Sequence, residues 1–275
     1  KGANQAIAAA KLGAEVVMLT KVGDDIFGKN TINNFEKYGI DTQYVEVIED
    51  TTSGVAPIFV DQNARNSILI VKGANNHLFP KDIEDAKEKL FRCDAILLQL
   101  EIPLETVYYA IEFGKKNSIP VILNPAPGAE LDYDLIKSVF IFVPNESELE
   151  LISGMPVNTM EQIEKAAKTI VSYGLKNVIV TLGEKGSVLV NAENVVNIPA
   201  AKVKAYDTTG AGDAFIGSFA YFYAISGNIS SSMQSASWYA AISTLKTGTQ
   251  KSFCTKLEFE NYVNEFGWSA KNMEN

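Results

Sequence analysis

Residues 205–223, AYDTTGAGDAFIGSFAYFY, gather in one short stretch the groups needed to move a phosphoryl group. Gly210, Ala211 and Gly212 lead directly into an apolar run of helical character. Their backbone amides can therefore converge beyond a helix N-terminus, where free N–H groups and the helix dipole favour an anion. Asp213 stands at the rim of that cradle. A carboxylate there is oddly placed for binding phosphate but well placed to take the proton from a hydroxyl that attacks one. The same residues also permit a plainer arrangement, in which Asp213 caps the helix and the glycines serve the turn. The stretch is not a dinucleotide fingerprint, because Phe215 occupies the place of the third glycine, and the chain has no Walker A sequence.

Other segments carry weaker signals. In PNESE (144–148), Asn145 follows Pro144 and opens a Glu-rich turn, so with Glu148 it reads as a helix cap. TLGEKG (181–186) reads as a hairpin turn. Glu101, at the carboxyl end of a strand, reads as a surface acid able to pair with vicinal hydroxyls. Several chemistries are excluded. The single histidine, His77, lies in a turn-like stretch and cannot build a zincin or a paired-His mechanism. Cys93 and Cys254 have no metal-binding or disulfide-framework spacing, so a reducing compartment, the cytoplasm, is expected. With 24 Lys+Arg against 33 Asp+Glu, the net charge of −9 has the wrong sign for nucleic acid. The longest apolar run, Ala214–Ile225, is interrupted by Gly217 and Ser218 and is too short to cross a bilayer, so no membrane association is expected. KGANQAIAAAK (1–11) is no signal peptide, and the absent initiator Met points to a start inside a longer protein.

These groups need a scaffold, and the pattern from about residue 80 supplies one. Pro80 opens KDIEDAKEKLF, where Ile83, Ala86, Leu90 and Phe91 share a helical face and Glu84–Lys87 and Asp85–Lys89 can pair. DAILLQL (94–100), IPVILNP (119–125), VFIFVPN (139–145) and KNVIVTLG (176–183) read as buried strands, separated by helices from Pro103 to Phe113 and around 146–152 and 160–173. Strands that are apolar throughout predict a mainly parallel sheet covered on both faces, an α/β fold with ligands at the strands' carboxyl ends. Residues 42–71 are β-rich without helical period and read as a small antiparallel flap, set apart from a core of 1–41 and 72–275. No internal repeat supports a second independent domain.

DTTGAGDAF resembles the C-terminal signature of the ribokinase-like, or PfkB, carbohydrate kinases. KGANQA (1–6), TTSGVAPIFVD (51–61), KGAN (72–75), QLEIP (99–103), LNPAP (123–127), PNESE, TLGEKG and KTGTQ (246–250) follow in the family's order. The resemblance spans essentially the whole chain, and KGANQA, QLE and NPAP are most similar to the family's ribose-phosphorylating branch. It implies a three-layer α/β/α fold with a small β lid, the opening strands of which lie before this chain's first residue. It also implies ATP-dependent phosphorylation of D-ribose at its 5-hydroxyl. A kinase for another sugar or a nucleoside, and a non-catalytic binding paralogue, are the alternatives. Under that resemblance Asp213 is the catalytic base, and Gly210, Ala211 and Gly212 form the anion hole. Lys1, Gly2, Asn4 and Glu101 lie on the sugar side. Asn145 and Glu148 position Mg²⁺ and phosphate, and Thr181, Leu182, Gly183, Glu184, Lys185 and Gly186, with Gly212, bed the nucleotide phosphates. Asp207, Thr209, Ser243, Lys246, Gly248 and Ser252 fall where the family holds K⁺, and oxygens from two loops suit a hard cation. The flap, with apolar Val55, Pro57 and Phe59, is expected to pair with its twin in a homodimer.

Overall fold

A computed structural model describes residues 1–60 and 66–267. The chain runs α1 (Gly2–Leu12), β1 (Thr20–Gly23), α2 (Ile26–Lys37), β2 (Val45–Ile48), β3 (Ile58–Val60), β4 (Asn66–Ile68), α3 (Pro80–Asp85), α4 (Lys87–Leu90), β5 (Ile96–Leu98), α5 (Leu104–Lys116) and β6 (Val121–Leu123). It continues through α6 (Tyr133–Ile136), β7 (Ile141–Phe142), α7 (Glu146–Ser153), α8 (Met160–Ser172), β8 (Asn177–Thr181), β9 (Ser187–Asn191), β10 (Val195–Ile198), α9 (Ala211–Ser226), α10 (Ile229–Ser243) and α11 (Lys256–Glu265).

Six strands form the central sheet in the order β10-β9-β8-β7-β6-β5. Strands β5 to β8 are parallel, while β9 and β10 fold back antiparallel. The apolar strands are buried on both faces because alternate residues serve two different cores. Leu123, Phe142, Val178 and Val180 pack with Val107 and Ile111 of α5 and Ile163, Ala166 and Ile170 of α8. Their neighbours Ile122, Ile141 and Ile179 point the other way, onto Phe215 and Phe219 of α9 and Met233 of α10. A third core joins Ile7 and Leu12 of α1 to Ala214, Phe222, Tyr239 and Phe253. Helices α1 and α9 touch through Gly217, where a Cβ would come within 2.3 Å of the Gln5 carbonyl oxygen. That contact sets the residues of α1 beside the start of α9.

The two remaining sheets depart from expectation. Strand β2 pairs in parallel with β1, Thr20 opposite Val45, while β3 and β4 form an antiparallel pair that a bridge between Val55 and Val71 extends. The flap is therefore not one antiparallel unit, because its first strand is held by residues 20–23, which the sequence pattern had left in the core. Residues 61–65 of the flap and the side chain of Phe59 lie outside the described residues. The expected helix after Pro80 breaks at Ala86 into α3 and α4. Ile83, Ala86 and Leu90 are buried, but Phe91 is exposed and stacks on Phe113 instead. Glu84 pairs with Lys87, whereas Lys89 reaches across to Asp41 rather than back to Asp85. A groove of about 1020 Å³ runs between residues 16–22, which include β1, and residues 94–99, which include β5; Lys1, Gln5, Gln99 and Glu101 also border it.

Candidate active site

The approach to α9 is fixed by a glycine with no substitute. Gly210 is the N-cap, at φ 82° and ψ 1°, and a Cβ there would lie 2.2 Å from Cγ2 of Thr249. Only glycine takes this left-handed turn with another loop so close. The Ala211 N–H donates to the Thr208 carbonyl at 3.1 Å, so it belongs to the turn and not to the cradle expected from sequence. Among the described residues the N–H groups of Gly210 and Gly212 have no acceptor, which leaves these two able to donate to an anion.

Asp213 occupies the third position of α9 and is 7% exposed. It does not cap the helix, since its carboxylate is engaged from α1. Asn4 Nδ2 donates to Oδ2 at 2.8 Å and Gln5 Nε2 to Oδ1 at 3.0 Å. Asn4 is itself oriented by Gln250 Nε2, which donates to its Oδ1 at 2.8 Å; Gln250 in turn accepts from Asn34 Nδ2 at 2.7 Å. The structure thus brings Asn4 and Asp213 into direct contact and leaves each carboxylate oxygen with further acceptor capacity.

Four polar residues of this cluster, Gln5, Gln99, Asn124 and Gln250, were not assigned a role from sequence, although each sits in a motif quoted above. Gln5 is fully buried, and Asn124 directly follows the apolar strand β6. A primary amide set among apolar residues at the carboxyl end of a strand is the signal that could have found it, because a buried amide must be partnered.

Asn145 and Glu148 form a reciprocal capping box: Asn145 Oδ1 accepts from the Glu148 N–H at 2.8 Å, and Glu148 Oε2 from the Asn145 N–H at 2.9 Å. The residue-based reading as a cap therefore holds. Glu148 is nonetheless unusual for a cap, being 8% exposed, with its pKa raised above the ordinary carboxylate value mainly by burial and also by the Asp213 charge. Strand β8 delivers Thr181 next to Asn145, its N–H bonded to the Pro144 carbonyl at 3.0 Å. Residues 183–185 make one 3₁₀ turn, Leu182 N–H bonds the Gly186 carbonyl at 2.8 Å, and Lys185 Nζ lies 3.4 Å from Glu146. Leu182 is buried, while Gly183, Glu184, Lys185 and Gly186 line the outer side of this hairpin.

Two further loops are tied together by Asp207, whose Oδ1 accepts from the Thr209 N–H and Oδ2 from the Gly248 N–H, both at 2.9 Å. The Gly248 amide chiefly, with Thr209, holds this carboxyl below the usual carboxylate range. The N–H groups of Tyr206 and Asp207 both bond the Thr244 carbonyl. Ser243 and Ser252 are buried, each hydroxyl donating to a carbonyl three residues back, so their oxygens retain lone pairs. Lys246 turns away, toward Glu258 and over the Tyr262 ring, so only its carbonyl could serve a cation. On the sugar side, Glu101 Oε2 accepts from the backbone nitrogen of Lys1 at 2.8 Å, and Gly2 lies against Gln99, where a Cβ would meet Oε1 at 2.8 Å. Among the described residues no three His, Cys, Asp or Glu side chains cluster to hold a metal, and His77 is exposed at the end of a 3₁₀ turn. No helix among them is long and apolar enough to cross a membrane.

Comparison with known proteins identifies the family and the fold. The profile of the pfkB family of carbohydrate kinases matches residues 1–256. A deoxyribokinase of Salmonella typhi is 55% identical over 264 residues, covering 96% of this chain and 86% of the relative. A ribokinase of Haemophilus influenzae is 37% identical over 258 residues, 94% and 84% of the two chains. Among solved structures, Arabidopsis thaliana ribokinase complexed with ribose and ATP superposes with a TM-score of 0.90 at 30% identity, covering 95% of this chain and 86% of that one. A Thermotoga maritima ribokinase gives 0.85 at 36% identity, with 96% and 86% covered.

Proposed function

The chain belongs to the pfkB family of carbohydrate kinases, and from that premise we propose that it transfers the γ-phosphoryl group of ATP to the 5-hydroxyl of a ribose-type pentose, 2-deoxyribose foremost. The observation that carries the reading is the Asp213 carboxylate, held by Asn4 and placed one residue beyond the unpartnered Gly212 N–H. In the proposed step the sugar hydroxyl oxygen attacks the γ-phosphorus, its proton passes to Asp213, and the bond to the bridging oxygen breaks to release ADP. The Gly210 and Gly212 amides meet the charge on the equatorial oxygens as it develops. Burial of the carboxylate keeps water away from the transfer.

The sequence pattern favours ribose, and the 55% identity to a deoxyribokinase, against 37% to a ribokinase, moves the preference to the 2-deoxy sugar. The nucleotide phosphates would lie between Asn145, Thr181 and the turn at 183–186. Mg²⁺ would be held through Glu148 and the phosphates, a fit for a cation that keeps its waters and takes few protein carboxylates. It would neutralise phosphate charge. K⁺ would sit between the loops joined by Asp207, with carbonyls and the Ser243 and Ser252 oxygens as its hard donors. A homodimer through the flap, supported by exposed Leu69, Ile70 and Val71, completes the reading. So does a cytoplasmic location, which the two unpaired thiols suit.

The test is ADP release from Mg·ATP with 2-deoxyribose, ribose, fructose and adenosine as acceptors, the phosphorylated position read by NMR. A higher kcat/KM for 2-deoxyribose, with phosphate at carbon 5, is expected. Preference for adenosine or a hexose would overturn the pentose assignment, and ADP release that ignores every acceptor would point to a binding protein.

A further inference from the structure

We infer that Gln5 is a positioning residue for phosphoryl transfer, an amide that holds the Asp213 carboxylate in orientation. The inference rests on the reading of Asp213 as the base. Gln5 is fully buried in α1 and is hydrogen-bonded to one residue of α9 and to residues just beyond the ends of β5 and β6. Its Nε2 donates to Asp213 Oδ1 at 3.0 Å and to Asn124 Oδ1 at 3.2 Å, and its Oε1 accepts from Gln99 Nε2 at 2.6 Å. Three hydrogen bonds use both of its donors and its acceptor, so the side chain is immobilised.

The polarity of this network is set from its far end. Asn124 Nδ2 donates to the Val143 carbonyl at 3.0 Å, and a backbone carbonyl can only accept. Asn124 must therefore turn its Oδ1 toward Gln5, and Gln5 must answer with its amide nitrogen. Gln99 donates on the opposite side and leaves Gln5 Oε1 no other role. With its nitrogen so fixed, Gln5 presents an N–H to Asp213 Oδ1, and that oxygen must accept. The network thus fixes the plane of the carboxylate, while Oδ2, shared with Asn4, keeps a lone pair for the incoming hydroxyl.

The test compares kcat and KM for the wild type, Gln5→Met, Gln5→Glu and Asp213→Asn, with thermal unfolding and nucleotide binding measured on each. Loss of the donor should lower kcat of the Met variant about 10²-fold. The KM for ATP should stay put. The Glu variant keeps size and the bond from Gln99 but removes the donor to Asp213, so its kcat should fall at least as far. If Asp213→Asn remains active, the base assignment itself fails. If Asp213→Asn is inactive while the folded Gln5 variants keep the wild-type kcat, the inference about Gln5 is overturned. An unfolded Glu variant beside a folded Asp213→Asn would make Gln5 a structural residue and overturn it as well.

Discussion

The residues that matter are few, and they sit where three elements end. The N-terminus of α9 supplies Asp213 and the two unpartnered amides, α1 supplies Asn4 and Gln5, and the end of β6 supplies Asn124. Gly210 is the most constrained of them, by its left-handed φ and by Thr249. Gly210→Ala should lower kcat by about 10²-fold, the scale of one lost anion-hole donor, with little change in pentose binding. Steady-state kinetics would check this, and a wild-type kcat would mean that the amide plays no part. At this scale the sequence was informative about residue type and blind to partner. GAGD suggested an anion cradle beside an acid, but nothing in it told that the Ala211 amide would be spent on Thr208, because a turn's internal bond leaves no trace in side-chain identity. Gln5 and Asn124 were passed over for the same reason: their importance lies in contacts more than a hundred residues away.

At the scale of elements, the contact between α1 and α9 governs the site. Gly217 lets the helices touch, and a methyl group there would strike the Gln5 carbonyl and the Ala8 side chain. Gly217→Ala should cost about 1–3 kcal/mol of stability by overpacking and also reduce kcat, because Asn4 and Gln5 would shift away from Asp213. Urea unfolding and kinetics on one preparation would show both effects; a stability loss with unchanged kcat would separate the packing from the site. The loop junction at Asp207 makes a pH prediction. Its carboxyl lies below the ordinary carboxylate range in the folded state, so it adds stability above the unfolded-state value, and that contribution is lost as pH falls through the folded value. The stability gap between wild type and Asp207→Asn should therefore narrow as pH falls from about 6 to about 3, where a constant gap would contradict the assignment. The strands were legible because apolar residues on both faces leave a continuous run. Helix α1 was not, since GANQAIAAAKL mixes glycine, polar residues and alanine without a clear stripe, and the parallel pairing of β2 with β1 joins residues 25 apart, Thr20 with Val45.

For the molecule as a whole, two cores flank the six-stranded sheet and a third, around α1, α9 and α10, carries the catalytic end. The flap stands outside all three and leaves Leu69, Ile70 and Val71 exposed. Sedimentation should give a dimer that dissociates in Leu69→Lys, while a monomeric wild type would remove the flap from assembly. The central claim returns to one carboxylate. Single-turnover transfer from Mg·ATP to 2-deoxyribose by Asp213→Asn, on enzyme shown to bind nucleotide normally, tests it most directly. The account predicts a rate lower by about 10²–10⁴-fold with nucleotide affinity retained, and transfer at close to the wild-type rate would contradict it.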